Sequence, residues 1–135
     1  IGILFFTLDP MSRFQQARDA TRWSDVTIFL NAIKDNQSDN GSNYSSAIAA
    51  ISPGLYYVIG TCDSDGNIDC SGKTTQPTCV DLSELIISGH LSTIPSDPHS
   101  GSSIKTDYYI TKSPTGVITI GACDPESDTP ISVMR

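Results

Sequence analysis

The chain has 135 residues, a formal net charge of −7, 38% apolar and 7% aromatic residues, and four cysteines. That length holds one domain with room for an appended helix, and a core this small is commonly reinforced by covalent links. The acidic balance argues against nucleic acid as a direct partner, because phosphate backbones select Lys/Arg-rich faces.

The opening Ile1-Gly2-Ile3-Leu4-Phe5-Phe6 is apolar but far short of the roughly 20 residues a bilayer requires. It has neither the basic flank nor the small-residue cleavage site of a secretory signal. Residues 1–9 read as the tail of a longer apolar segment that begins upstream. Asp9-Pro10 is a helix start, with Asp as cap and Pro in the first turn. An amphipathic helix is predicted over 10–37, with Met11, Phe14 and Ala17, then Trp23, Val26, Phe29, Leu30 and Ile33, at three- and four-residue steps. Arg13, Arg18, Asp19, Arg22 and Asp25 fill the remaining positions and read as a solvated face. Ser38-Asp39-Asn40-Gly41 ends the helix.

The head, 38–135, begins with a short helical stretch over Tyr44–Ile51 and a strand at Leu55–Ile59, rich in aromatic and β-branched residues. Cys62–Thr78 reads as a polar loop, and Val80–Ile87 as a short helix started by Asp81 or Ser83. Two prolines exclude regular structure from Ile94-Pro95-Ser96-Asp97-Pro98. Tyr108–Thr111 and Val117–Ile120 flank Ser113-Pro114-Thr115-Gly116 as a β-hairpin. The order predicts an α+β fold: one long N-terminal helix packed on a small antiparallel sheet.

Cys62, Cys70, Cys79 and Cys123 include no Cys-x-x-Cys pair, and neither His90 nor His99 has zinc-type spacing to them. Two disulfides follow, and with them an oxidising, extracytoplasmic compartment. Of the three connectivities, proximity in sequence favours Cys62–Cys70 with Cys79–Cys123. Asp63, Asp65, Asn67 and Asp69 place oxygen donors at alternate positions, a partial calcium-loop pattern without its bidentate Glu. A polar loop tip is the preferred reading, with calcium the one cofactor considered. Asn36, Asn40 and Asn43 each begin an N-x-Ser sequence, and the needs of a helix-ending turn account for all three. His90 with Ser83 or Ser88 is the only combination resembling a catalytic dyad. No nucleophile elbow, phosphate loop or His-Glu-x-x-His accompanies it, so an enzyme is not expected.

The run Ala17-Arg18-Asp19-Ala20-Thr21-Arg22-Trp23-Ser24-Asp25-Val26, followed by Ser38-Asp39-Asn40-Gly41-Ser42-Asn43-Tyr44, resembles a signature of the type IV pilin and pseudopilin superfamily. Trp23 takes a slot usually polar there, and Asn43 is an insertion before Tyr44. Ile94-Pro95-Ser96-Asp97-Pro98 ahead of Tyr108-Tyr109 is similar to a Leu-Pro-x-Asp-Pro element of the same proteins. Gly2 and Pro10 have the separation of that family's helix-weakening pair. The family's Phe-Thr-Leu-Ile-Glu mature N-terminus has no counterpart here, and about a dozen further residues would be needed to supply it.

The resemblance implies a pilin fold and a subunit that polymerises with itself into an extracellular, cell-surface pilus. Before assembly it implies residence in the inner membrane and contact with the assembly machinery. It also implies that Gly2, Ile3, Leu4, Phe5, Phe6 and Pro10 bound a segment whose helix melts in the filament. Host or surface ligands, and adhesive, motile or DNA-uptake roles, are not distinguished. A major pseudopilin of a type II secretion system is the alternative within the superfamily. A secreted carbohydrate- or cell-binding module is the alternative outside it.

Overall fold

The computed structural model describes residues 10–135. The expectations for Gly2, Ile3, Leu4, Phe5 and Phe6 lie outside the described residues. Helix α1 runs Pro10–Asp39, two residues past the predicted end. It closes where Gly41 and Ser42 take left-handed φ values of 63° and 72° and Ser42 N–H reaches back to Gln37 O at 2.9 Å. After it come α2 (Ser46–Ala49), β1 (Tyr56–Val58), β2 (Asp69–Cys70), β3 (Lys73–Thr74), α3 (Glu84–Ile87), β4 (Tyr108–Lys112), β5 (Ile118–Ala122) and β6 (Ser132–Met134). The fold is α+β: the long helix lies on a four-stranded antiparallel sheet of order β1-β4-β5-β6.

The predicted hairpin is β4–β5, its register running from Tyr108 opposite Ala122 to Lys112 opposite Ile118. Gly116, at φ 91°, allows the turn that returns its N–H to Ser113 O at 3.0 Å. The predicted strand at Leu55–Ile59 is present as β1, with Ile59 continuing into a parallel bridge to Val80. That bridge takes Val80 out of the expected helix, which shortens to α3. Strand β6 carried no sequence signal; it is a three-residue edge strand on β5.

The period-two alternation of the hairpin sends Tyr108 and Tyr109 to opposite faces. Tyr108 joins the main core, where its ring meets Phe29 edge-on at 5.8 Å. Val26, Phe29, Leu30 and Ile33 from α1 and Ile110, Ile118 and Ile120 from the hairpin fill the space between the layers. Tyr109 belongs to a second cluster on the far face with Cys70, Cys123, Tyr56 and Ile68. Its ring lies over Gly121, where a Cβ would come within 2.4 Å of it.

Cys62–Thr78 is not simply loop. The ribbon β2–β3 sits within it and covers the outer cluster. This placement corrects the predicted disulfides: the bridges are Cys62–Cys79 and Cys70–Cys123. Neighbours in sequence are not neighbours in space here. The Ile59–Val80 bridge aligns the flanking chain so that Cys79 N–H reaches Cys62 O. The ribbon turns Ser71 N–H toward Cys123 O at 3.1 Å, bringing the Cys70 and Cys123 Cα atoms to 4.2 Å.

Candidate functional site

The amphipathic expectation for α1 holds only in its C-terminal half. Val26, Phe29, Leu30 and Ile33 are buried, whereas Met11 and Phe14 are each 61% exposed and Trp23 is 42% exposed. Conversely Asp19 and Arg22, expected on a solvated face, are buried. The sequence periodicity fails because the helix buries a polar cluster where it meets the loops at one end of the sheet.

Arg22 is the hub of that cluster. Its Nε and Nη2 donate to the two carboxylate oxygens of Asp97 at 2.6 and 2.9 Å, a bidentate pair. Its Nη1 donates to Asp19 Oδ1 at 2.9 Å and to Glu126 Oε2 at 2.6 Å. Glu126 also accepts two bonds from the Arg18 guanidinium. Asp19 accepts the backbone N–H groups of Glu126 at 3.0 Å and Ser127 at 2.8 Å. Asp97 Oδ1 accepts those of His99 and Ser100 at 2.9 and 3.0 Å. One turn further along the helix, the Tyr108 hydroxyl donates to Asp25 Oδ2 at 2.6 Å. Thus Asp19 and Arg22 from the helix motif and Asp97 from the Ile-Pro-Ser-Asp-Pro element meet in one network.

Burial pushes the Arg22 guanidinium toward neutrality, but the bonds to Asp97, Glu126 and Asp19 more than offset it and hold it charged. Burial likewise raises Asp97, and the bonds from Arg22, His99 and Ser100 bring its carboxyl below the ordinary value. Asp19 follows the same pattern through the Glu126 N–H and Arg22. Glu126 is held at about 2, chiefly by the Arg18 bond and then by Arg22. Beside the network, Asp107 goes the other way, pushed up to about 8 by burial and by Asp124. Asp107 also occupies a left-handed backbone position at φ 65°, its carboxylate accepting from Ser100 Oγ at 2.6 Å.

Glu126 carried no motif, yet the sequence held a trace of it. Arg18 and Arg22 stand at i,i+4, where like charges repel on a bare helix, and such a pair calls for a shared acid from elsewhere in the fold.

The other predicted residues disperse. Asp63, Asp65, Asn67 and Asp69 are exposed, and Asp69 Oδ1 accepts Gly72 N–H at 3.0 Å. Among the described residues no group of three or more His, Cys, Asp or Glu side chains gathers as a metal set. Ser88 Oγ, His90 Nδ1, His90 Nε2 and Asp39 Oδ2 do form a chain with 2.7 Å links. Ser88 Oγ also donates to Leu85 O at 3.2 Å. The nearby N–H groups of Gly89, His90 and Leu91 are all engaged by α3 carbonyls, so none is aimed to stabilise an oxyanion. The chain straps α3 to the end of α1. Ser83 stands at the start of α3, where its N–H donates to Asp81 Oδ1 at 2.9 Å. Of the N-x-Ser asparagines, Asn36 is buried and Asn40 and Asn43 are exposed.

A cleft of about 430 Å³ opens on the outer face of the sheet beside Tyr56, Thr111, Lys112, Thr119 and Met134. Its lysine is engaged elsewhere, donating to Ile48 O and Ala49 O at 3.0 and 3.3 Å. Among the described residues no helix is long and apolar enough to cross a membrane. Comparison of the chain with family models, curated proteins and solved structures returned no match.

Proposed function

We propose that this chain is a structural subunit of the type IV pilin class, polymerising through its N-terminal helix into an extracellular filament whose surface is the disulfide-bonded head. One observation carries the reading. The two sequence elements that resemble the pilin signature, 75 residues apart, supply Arg22 and Asp97 to a single bidentate pair in the interior. Their meeting in one buried pair supports reading them as parts of one signature.

The physical role follows from that joint. A filament subunit transmits load between its helix and its head, and a purely apolar contact resists sliding poorly because it is non-directional. The directional bonds of Arg22 to three carboxylates fix both the rotation and the register of α1 against the loops. Met11 and Phe14 stand exposed on the turns of α1 before the network begins. In a filament these side chains would be covered by helices of neighbouring subunits.

The test is direct. Appendages sheared from cells that make the protein are expected to be long filaments composed mainly of this chain, by negative-stain microscopy and mass spectrometry. Short filaments seen only on overproduction would move the assignment to a secretion pseudopilus. Release of the protein as a monomer, with no filament, would overturn the reading in favour of a secreted binding module.

A further inference from the structure

The exit of α1 holds a chemistry that the filament reading does not use. Asn40 and Gly41 are both exposed. Gly41 has φ 63°, and a Cβ built on it would meet nothing within 4 Å. The backbone bonds of this turn engage the N–H groups of Asn40, Ser42 and Asn43 and pass over that of Gly41. The Asn40 side-chain amide makes a single long contact, Nδ2 to Asn36 Oδ1 at 3.5 Å. An uncommitted backbone nitrogen therefore follows a lightly held carboxamide, with no side chain to obstruct their approach.

We propose that Asn40 is a site of spontaneous deamidation, placing a slow, irreversible charge change at the junction of helix and head. The Gly41 nitrogen, losing its proton, attacks Asn40 Cγ. An N–Cγ bond forms, the Cγ–Nδ2 bond breaks, and ammonia leaves with that proton. Water then opens the five-membered imide at one carbonyl or the other, giving aspartate or isoaspartate at this position. The remaining exposed asparagines of the head lack the same freedom: Asn43 is followed by Tyr44 and Asn67 by Ile68, whose side chains crowd the attack.

The product matters because of where it forms. A carboxylate at this position sits beside Asp39, at the negative end of the α1 dipole, and so opposes the helix terminus. The isoaspartyl form also lengthens the main chain by one methylene. That displaces the turn that aligns Ser42 N–H with Gln37 O and Asn43 N–H with Asn40 O.

The experiment incubates the native protein, disulfides intact, in mildly alkaline buffer and maps amide-to-acid conversion over time by peptide mass spectrometry with isoaspartate-sensitive fragmentation. Asn40 is expected to convert at least about tenfold faster than Asn43 or Asn67 in the same sample, with isoaspartate among the products. The Asn40→Gln variant, with an unchanged Tm, is expected to lose the fast conversion. Comparable rates at all three asparagines would overturn the proposal. So would native protection of Asn40 by more than roughly a hundredfold relative to the reduced, denatured chain, since the fold would then hold the amide out of reach.

Discussion

Replacing Arg22 by Met tests the central network, because the substitution keeps a long, helix-compatible side chain and removes every charged bond at once. The consequences differ among its three acceptors. Glu126 retains Arg18, and Asp19 retains the N–H groups of Glu126 and Ser127. Asp97 keeps only the His99 and Ser100 N–H groups, both on Oδ1, and its Oδ2 loses the Arg22 bond. With the Asp97 side chain fully buried, this is the charge left stranded. Removing one partner of a buried pair costs about 3–5 kcal/mol, and the two surviving N–H bonds place this case near 3 kcal/mol. Against a total stability of about 5–15 kcal/mol, the variant still folds. At this chain length the deficit lowers Tm by about 10–15 °C.

Thermal and urea unfolding followed by circular dichroism, disulfides intact, measures it. If the stranded carboxylate is the cause, Arg22→Met combined with Asp97→Asn loses less than the sum of the two singles, with a coupling of about 2 kcal/mol. The deficit should also shrink as pH falls, beginning above the ordinary carboxyl value, because burial without Arg22 favours the protonated Asp97. An Arg22→Met protein within about 0.5 kcal/mol of the parent at neutral pH, or strictly additive singles, would refute the reasoning.

Three further outcomes follow from the same structure. Glu126, Asp19 and Asp97 have depressed carboxyl values. Their stabilisation is therefore present above the unfolded values near 4 and lost as pH falls through their lowered folded values, which for Glu126 is about 2. A Tm that stays flat through that window would contradict the network. Asp107 has the opposite sign. Its folded value is raised, so its charge costs stability increasingly from pH 4 toward about 8. Asp107→Asn, which tolerates the left-handed backbone, should stabilise by about 1 kcal/mol at pH 8 and show no gain at pH 4 in thermal unfolding. Gly121→Ala places a methyl against the Tyr109 ring and should cost about 1–3 kcal/mol in urea unfolding. Pairing it with Tyr109→Leu should recover part of that loss.

The sequence exposed what depends on local pattern. Helix α1 and the β4–β5 hairpin were readable because the run 11–37 holds no Gly or Pro to break a helix, and a turn containing Pro and Gly between β-branched runs specifies a hairpin locally. Strand β6 was not: Ser132-Val133-Met134 is too short for a pattern and exists only because β5 offers it an edge. The disulfide partners were misassigned for a related reason. Distance along the chain predicts contact only for flexible segments, and the β2–β3 ribbon is a structured excursion that places Cys70 on the far side of the sheet. Asp19 and Arg22 drew attention through their motif, yet mixed charges on a helix usually mean solvent, and only the acids of distant loops make their burial tolerable. Glu126, in a polar stretch between Pro125 and Pro130, had nothing but the Arg18–Arg22 repulsion to announce it.

The Cys62–Cys79 bridge closes the ribbon segment into a covalent ring, and this gives the head a tolerance to damage. A protease cutting at the exposed Asp63–Asp65 tip opens that ring without releasing either side. The two fragments part only on reduction, and a non-reducing gel would show no change. Within the ring, the fixed points are Gly66, whose Cβ would strike the backbone of Gln76 and Pro77, and Thr75, whose hydroxyl holds Gly66 O. Within the exposed tip 63–65, Asp65 takes a left-handed φ of 66° and so favours Asp, Asn or Gly there, whereas Asp63 and Ser64 carry no such backbone restriction.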